Sequence, residues 1–210
     1  MNQHYITADN IWNIDEKGFL IGVAIKQCRI MSRKAFESGR CTHATQDGNR
    51  EFLTLIACVN ALGKALQPTL LYKGASRDLQ DTWVEDLDDT DDMFFGATEN
   101  GWTNHTYRLK WLQDVFEPNT RPIRTNTKRL LIVDSHSSHV NLQFISYAEA
   151  HGVFILILPP HSTHRLQPLD VNCFFPLATN YGVELNLWLH KGLGYTSISK
   201  RDFLQIFRLT

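Results

Sequence analysis

Long apolar runs are missing from this chain. No stretch of its 210 residues approaches the roughly 20 consecutive apolar positions that a membrane helix needs, and the strongest run, 153–158, is strand-sized. A membrane-spanning segment is therefore not expected. Cysteine is scarce. Cys28, Cys41, Cys58 and Cys173 are widely spaced and form no CxxC pair. That argues against a disulfide framework or a zinc ribbon and leaves reduced thiols as the expectation. No charged-then-apolar leader opens the sequence, so secretion is not expected. Net charge is also nearly absent, at −1, but it conceals an asymmetry. Residues 78–92 hold eight acids and no base; the rest carries 21 bases against 22 − 8 = 14 acids, or +7. An acidic loop on a mildly basic body is compatible with a polyanionic partner without demanding one. With 43% hydrophobic and 20% charged residues, the chain has the composition and length of one globular domain.

What is present reads as a mixed α/β pattern. Segment 10–25 suggests two antiparallel strands around a Glu16-Lys17-Gly18 turn. Strands follow at 52–59 and 68–72, joined by a turn over 60–64. Residues 104–117 place Tyr107, Trp111, Leu112, Val115 and Phe116 at helical spacing, with Pro118 as the stop. The short run 130–133, closed by Asp134, and the run 153–158, closed by Pro159-Pro160, suit strands buried on both faces. Asn141 can cap a helix ending near Gly152. A helix is expected from Asp170 to about 189, and Ser199 to Asp202 resembles a capping box before another. Strands first, then alternating β and α, predict a five-stranded mixed sheet with helices on its faces.

Three acids stand where strands and helices begin or end. Asp15 ends the first strand, Asp134 follows the fourth, and Asp170 opens a helix. If those strands are neighbours at the sheet centre, Asp15 and Asp134 project side by side and Asp170 closes the triangle. Clustered carboxylates repel, and divalent cations offset that cost. All-oxygen ligands suit Mg²⁺ or Mn²⁺. Two such ions, about 3.5–4 Å apart, would clamp a phosphodiester. Each Asp alone is equally at home as a turn former or helix cap.

Several segments together resemble the DDE endonuclease domain of pogo/Tigger-type transposases, in the wider Tc/mariner group with its centromere-protein-B-like relatives. They are Asn13-Ile-Asp15-Glu16-Lys-Gly18-Phe19, Asn49-Arg50-Glu51, Leu71-Tyr72-Lys73-Gly74, Gly101-Trp102, Val133-Asp134-Ser-His136-Ser-Ser-His139, and Leu158-Pro-Pro-His161-Ser-Thr-His164-Arg-Leu166-Gln167-Pro168-Leu169-Asp170. They occur in family order across roughly 10–190, and 170 − 134 − 1 = 35 residues separate the last two acids, a spacing similar to that of fungal pogo-like elements. The resemblance implies an RNase H-like fold, metal-dependent DNA cleavage and strand transfer, Asp15, Asp134 and Asp170 as catalytic metal ligands for two Mg²⁺ or Mn²⁺ ions, DNA as partner, compatibility with a homodimer, and a nuclear location. It divides the chain into a catalytic domain, 1–190, and a clipped helical segment, 191–210, with the family's N-terminal helix-turn-helix module absent. The rival expectation is an inactive, domesticated or decayed domain that contacts DNA, chromatin or protein.

The remaining features have two readings each. Glu16 should point to the face opposite Asp15 and is expected to be structural or to support the site. His136, His139, His161 and His164 form two HxxH pairs. Lacking a cysteine companion, these fit loop-shaping or phosphate contacts better than zinc, with a proton-transfer role left open. Arg165 is a phosphate-contact candidate. Arg121, Arg124, Lys128 and Arg129 could contact phosphate or belong to ordinary solvated surface. Trp102, Trp111, Trp188, Cys58 and Cys173 are expected in the core, and the acidic run as a solvated flap.

Overall fold

A computed structural model describes residues 6–21, 33, 51–76, 78–88, 91–124, 127–134, 141–160, 162–191 and 198–210. Its centre is a six-stranded sheet of β1 (Ile11–Leu20), β2 (Phe52–Asn60), β3 (Thr69–Lys73), β4 (Phe94–Thr98), β5 (Arg129–Val133) and β6 (Val153–Ile157), in the order β4-β3-β2-β1-β5-β6. β1 and β2 are antiparallel, as are β2 and β3. β3 with β4, β1 with β5 and β5 with β6 are parallel. The sheet has six strands where a five-stranded one was expected, and β4 was not anticipated. The expected hairpin at Glu16-Lys17-Gly18 is instead one uninterrupted strand, paired with β2 from Trp12↔Asn60 to Leu20↔Phe52. Gly18 makes no turn. It lies beneath the Phe52 ring, where any Cβ would collide.

Alternation along β1 divides the molecule into two faces. Trp12 and Ile14 join Ile56, Leu131 and Val133 in one core, closed by the helical segment 105–120 and by α3 (Leu142–Ala150). Phe19 joins Leu53, Leu70 and Tyr72 in the other, closed by α5 (Phe174–Lys191) and α6 (Lys200–Phe207). Residues 198–210 are part of that core: Phe203, Leu204 and Ile206 are fully buried in it.

The helix signals hold at their starts. Asn104 accepts the Tyr107 N–H at 2.8 Å, Asn141 accepts the Phe144 N–H at 2.8 Å, and the Asp202 carboxylate accepts the Ser199 N–H at 2.8 Å. Pro118 does not stop its helix. α1 (His105–Trp111) widens into a π turn at Leu112–Phe116 and continues as α2 (Glu117–Thr120). A proline lacks the N–H and clashes with the preceding turn, and a wider turn makes room for it.

The acidic segment is not a free flap. Arg201 pairs with Glu85 at 2.6 Å, Gln205 donates to Asp86 at 2.6 Å, and Arg208 pairs with Asp91, so α6 holds the strap against the body. Trp111 is buried and Trp188 packs on the core, but Trp102 is 43% exposed and stacks on Phe52. Cys58 is buried, whereas Cys173 is exposed, on the outer side of its helical turn. Arg129 is buried rather than solvated. It donates to Thr120 at 2.8 Å and to the His151 carbonyl at 2.8 Å, which removes it from phosphate contact. Arg121 is engaged with Glu117.

Candidate active site

Asn13 and Asp15 sit two residues apart on β1 and share the face toward α5. Parallel pairing sets Asn13 opposite Ile132. Two residues further along both strands, Asp15 comes level with Asp134, the first residue beyond β5. Asp170 lies in a π turn, Leu169–Cys173, that runs directly into α5. This turn is hooked onto the sheet: the Leu169 N–H donates to Asn13 Oδ1 at 3.2 Å, and Gln167 Nε2 donates to the Ile14 carbonyl at 2.9 Å.

The three carboxylates feel one another. The Asp15 carboxyl is pushed up to about 7, chiefly by burial, with the Asp170 and Asp134 charges adding to the rise. The Glu16 N–H, which donates to Asp15 Oδ1 at 2.8 Å, and the Gln167 side chain oppose it. Asp170 is exposed and Asp134 half-buried, so the trio runs from the sheet interior to the surface.

These acids do not form a closed cage. Among the described residues, no three His, Cys, Asp or Glu side chains converge tightly enough to hold an ion by themselves. The donor set still fits a hard divalent cation. Mg²⁺ is ordinarily held by one or two carboxylates, with water and substrate phosphate completing the octahedron. Here one buried carboxylate from the middle of β1 and two more accessible ones, from the end of β5 and from the turn before α5, make up the donor set. The buried Gln167 Oε1 has no hydrogen-bond partner among the described residues.

Glu16 points away from this cluster, as alternation requires. It accepts from Thr103 Oγ1 at 2.6 Å and from Arg108 Nε at 2.9 Å, in a pair whose side chains are almost wholly buried. It is therefore separated by the sheet from any phosphate beside Asp15. Arg165 is exposed on α4 (Thr163–Leu166). His164 belongs to the same helix by its backbone. Its side chain, together with His136, His139 and His161, lies outside the described residues.

Sequence reasoning passed over Asn13, Gln167 and Arg108. The first two stood inside the quoted motifs. Their signal was chemical: an amide in the middle of a strand otherwise suited to apolar residues, and a glutamine that is fully buried.

Comparison with known proteins places this geometry among relatives. The profile of the DDE superfamily endonuclease family matches residues 49–204. Asp134 and Asp170 fall inside that span and Asp15 precedes it. A Cochliobolus lunatus protein named MFS-type transporter clz9 is 32% identical over 206 residues, covering 98% of this chain and 21% of the relative. No helix among the described residues is long and apolar enough to cross a membrane. A pre-cleavage Mos1 transpososome superposes with a TM-score of 0.55 at 12% identity, and the Mos1 mariner paired-end complex with Mn with 0.55 at 13%. Each superposition covers 96% of this chain and 52% of the solved one. The chain thus spans about half the length of those transposase chains and about a fifth of the Cochliobolus protein.

Proposed function

Since the chain belongs to the family of DDE superfamily endonucleases and has the RNase H-like fold of the Mos1 transposase, we propose that Asp15, Asp134 and Asp170 form a divalent-metal site for cleaving DNA phosphodiester bonds and transferring the resulting strand. One observation carries this reading: acids from two adjoining strands and one helical turn lie close enough for the charges on Asp134 and Asp170 to raise the carboxyl of Asp15. The Mos1 structures are transposase complexes, one with Mn and one with a left transposon end. That supports DNA as the substrate class here and a divalent ion, Mg²⁺ or Mn²⁺, as the cofactor.

When bound, a pair of such ions supplies the Lewis acidity that activates a water or 3′-hydroxyl and stabilises the departing 3′-oxyanion. The protein's own part is positional. Asp15 is the inner ligand, held by the Glu16 N–H and by burial. Asp134 stands beside it from β5, and Asp170 faces solvent, where substrate arrives. Arg165, exposed on α4, is the sequence-predicted phosphate contact nearest to Asp170 along the chain. The ordered motifs support a pogo/Tigger-type assignment within the family. A nuclear site of action and two ions belong to the same proposal, and the catalytic unit takes in α6 as well as the residues up to 190, because α6 completes the core.

Supercoiled plasmid incubated with purified protein and MnCl₂ tests it. Nicking is expected, with loss in Asp134→Asn. No nicking, or equal nicking by that variant, would favour the inactive, interaction-only domain.

A further inference from the structure

We infer that Asn13 is a positioning residue whose single side-chain amide, assisted by Gln167, sets the spacing of the three acids. The inference rests on the metal-site reading above and goes beyond it.

Asn13 is 3% exposed. An amide in that setting is costly unless both of its ends are satisfied. Both are. Nδ2 donates to the Ile132 carbonyl at 3.2 Å, and Oδ1 accepts from the Leu169 N–H at 3.2 Å. The chemistry fixes the amide orientation, because one partner is an acceptor and the other a donor.

The partners are all main-chain groups next to acids. Ile132 is two residues before Asp134, Leu169 is directly before Asp170, and Asn13 itself is two residues before Asp15. One planar group therefore ties together the three segments that carry the carboxylates. Gln167, with no exposed surface, adds a second tie of the same kind, from its Nε2 to the Ile14 carbonyl, the residue directly before Asp15. Neither amide touches the reacting atoms; each acts through the ligands it places. An apolar residue at 13 would fill the space and leave the Leu169 N–H and the Ile132 carbonyl to find other partners. The turn bearing Asp170 would lose its link to the sheet.

Mg²⁺ requires near-ideal octahedral geometry, so it should feel a displaced ligand more than Mn²⁺ does. Asn60 supplies a matched control. It is another buried asparagine of the same sheet, bonded to the Asp9 carbonyl and to the Leu62 and Lys64 N–H groups, away from the acids.

Thermal melts of wild type, Asn13→Ala, Gln167→Met and Asn60→Ala, titrated with MgCl₂ or MnCl₂, test the inference. The concentration giving half of the metal-induced rise should increase about tenfold or more for Asn13→Ala in Mg²⁺, the usual range for a residue that orients metal ligands. The increase should be smaller in Mn²⁺ and absent for Asn60→Ala. An Asn13→Ala protein that saturates at the wild-type concentration overturns the inference while leaving the metal site standing. Should Asn13→Ala not fold cooperatively, Gln167→Met carries the test on the same terms, and an unchanged half-saturation there overturns it. A wild type whose melt never responds to either ion overturns the metal site, and this inference with it.

Discussion

Replacing Asp15 with Asn should make the metal-free protein more stable at alkaline pH, although it removes the innermost carboxylate of the proposed metal site. The folded-state carboxyl sits at about 7, against an ordinary value of 3.8. Between those pH values the folded chain holds a proton that the unfolded chain has released. Stability is therefore intact below about pH 4 and falls as pH rises through about 7. The gap is about three units, and each unit is worth about 1.4 kcal/mol, so the ceiling is roughly 4 kcal/mol. Asn keeps an oxygen for the Glu16 N–H, which now donates to Asp15 at 2.8 Å, and carries no charge at any pH. In EDTA at pH 8.5 the variant should melt higher by up to roughly 8–16 °C, at about 2–4 °C per kcal/mol for a chain of this size. At pH 4 the two should coincide. Adding MgCl₂ should raise wild type toward the variant and leave the variant unmoved. A variant that melts at or below wild type at pH 8.5, or a gap that does not close on acidification, refutes the assignment of Asp15 as a buried carboxylate held among its own kind.

Other tests follow from the same structure. Arg108→Met should cost about 3–5 kcal/mol, because Glu16 would keep its buried charge without its partner; adding Glu16→Gln should recover most of it, and denaturant melts that show no recovery would deny the pairing. Leu204→Ala, at a side chain with no exposed surface, should cost about 2–5 kcal/mol; a loss below about 1 kcal/mol by urea titration would mean that α6 is dispensable to the core. Arg208→Ala should speed proteolysis within 78–92, because its guanidinium holds Asp91. High salt should do the same to wild type, and unchanged cleavage would mean that something else holds the strap. Gly96→Val should destabilise by about 1–3 kcal/mol, since a Cβ there runs into the Tyr107 hydroxyl; an unaffected melting temperature would refute that close contact.

β5 was legible because an inner strand leaves a continuous apolar run, and the Asn141 cap because its bonding is local. β6 leaves the same kind of run but is not covered on both faces as expected: it is the edge strand, with Phe154, Leu156 and Ile157 exposed. β1 was misread because Glu16, Lys17 and Gly18 look like a turn to a local rule. The partners that keep them extended, Phe52 over Gly18 and Arg108 beside Glu16, are far away in sequence, the latter by 92 positions. β4 escaped notice because Gly96 and Ala97 are weak strand formers, admitted by parallel pairing with β3. Asp134 could be nominated from a strand end and Asp170 from a helix start; Asp15 was expected to end its strand but lies in the middle of β1, so only the motif order nominated it. The amide ties that set their spacing have no signature in one dimension, and neither does the acidic strap's attachment to α6.

The strand order has a consequence for how the molecule is born. β1 emerges from the ribosome before the other five strands of the sheet yet takes an inner place, flanked by one strand made soon after and another made much later. Pairings of such long sequence separation close slowly. The hook between Asn13 and Leu169 spans 156 positions, so β1 cannot be joined to the turn bearing Asp170 until every residue between them has been translated. A copy of this domain released before Leu169 would hold β1 without the turn that Asn13 anchors.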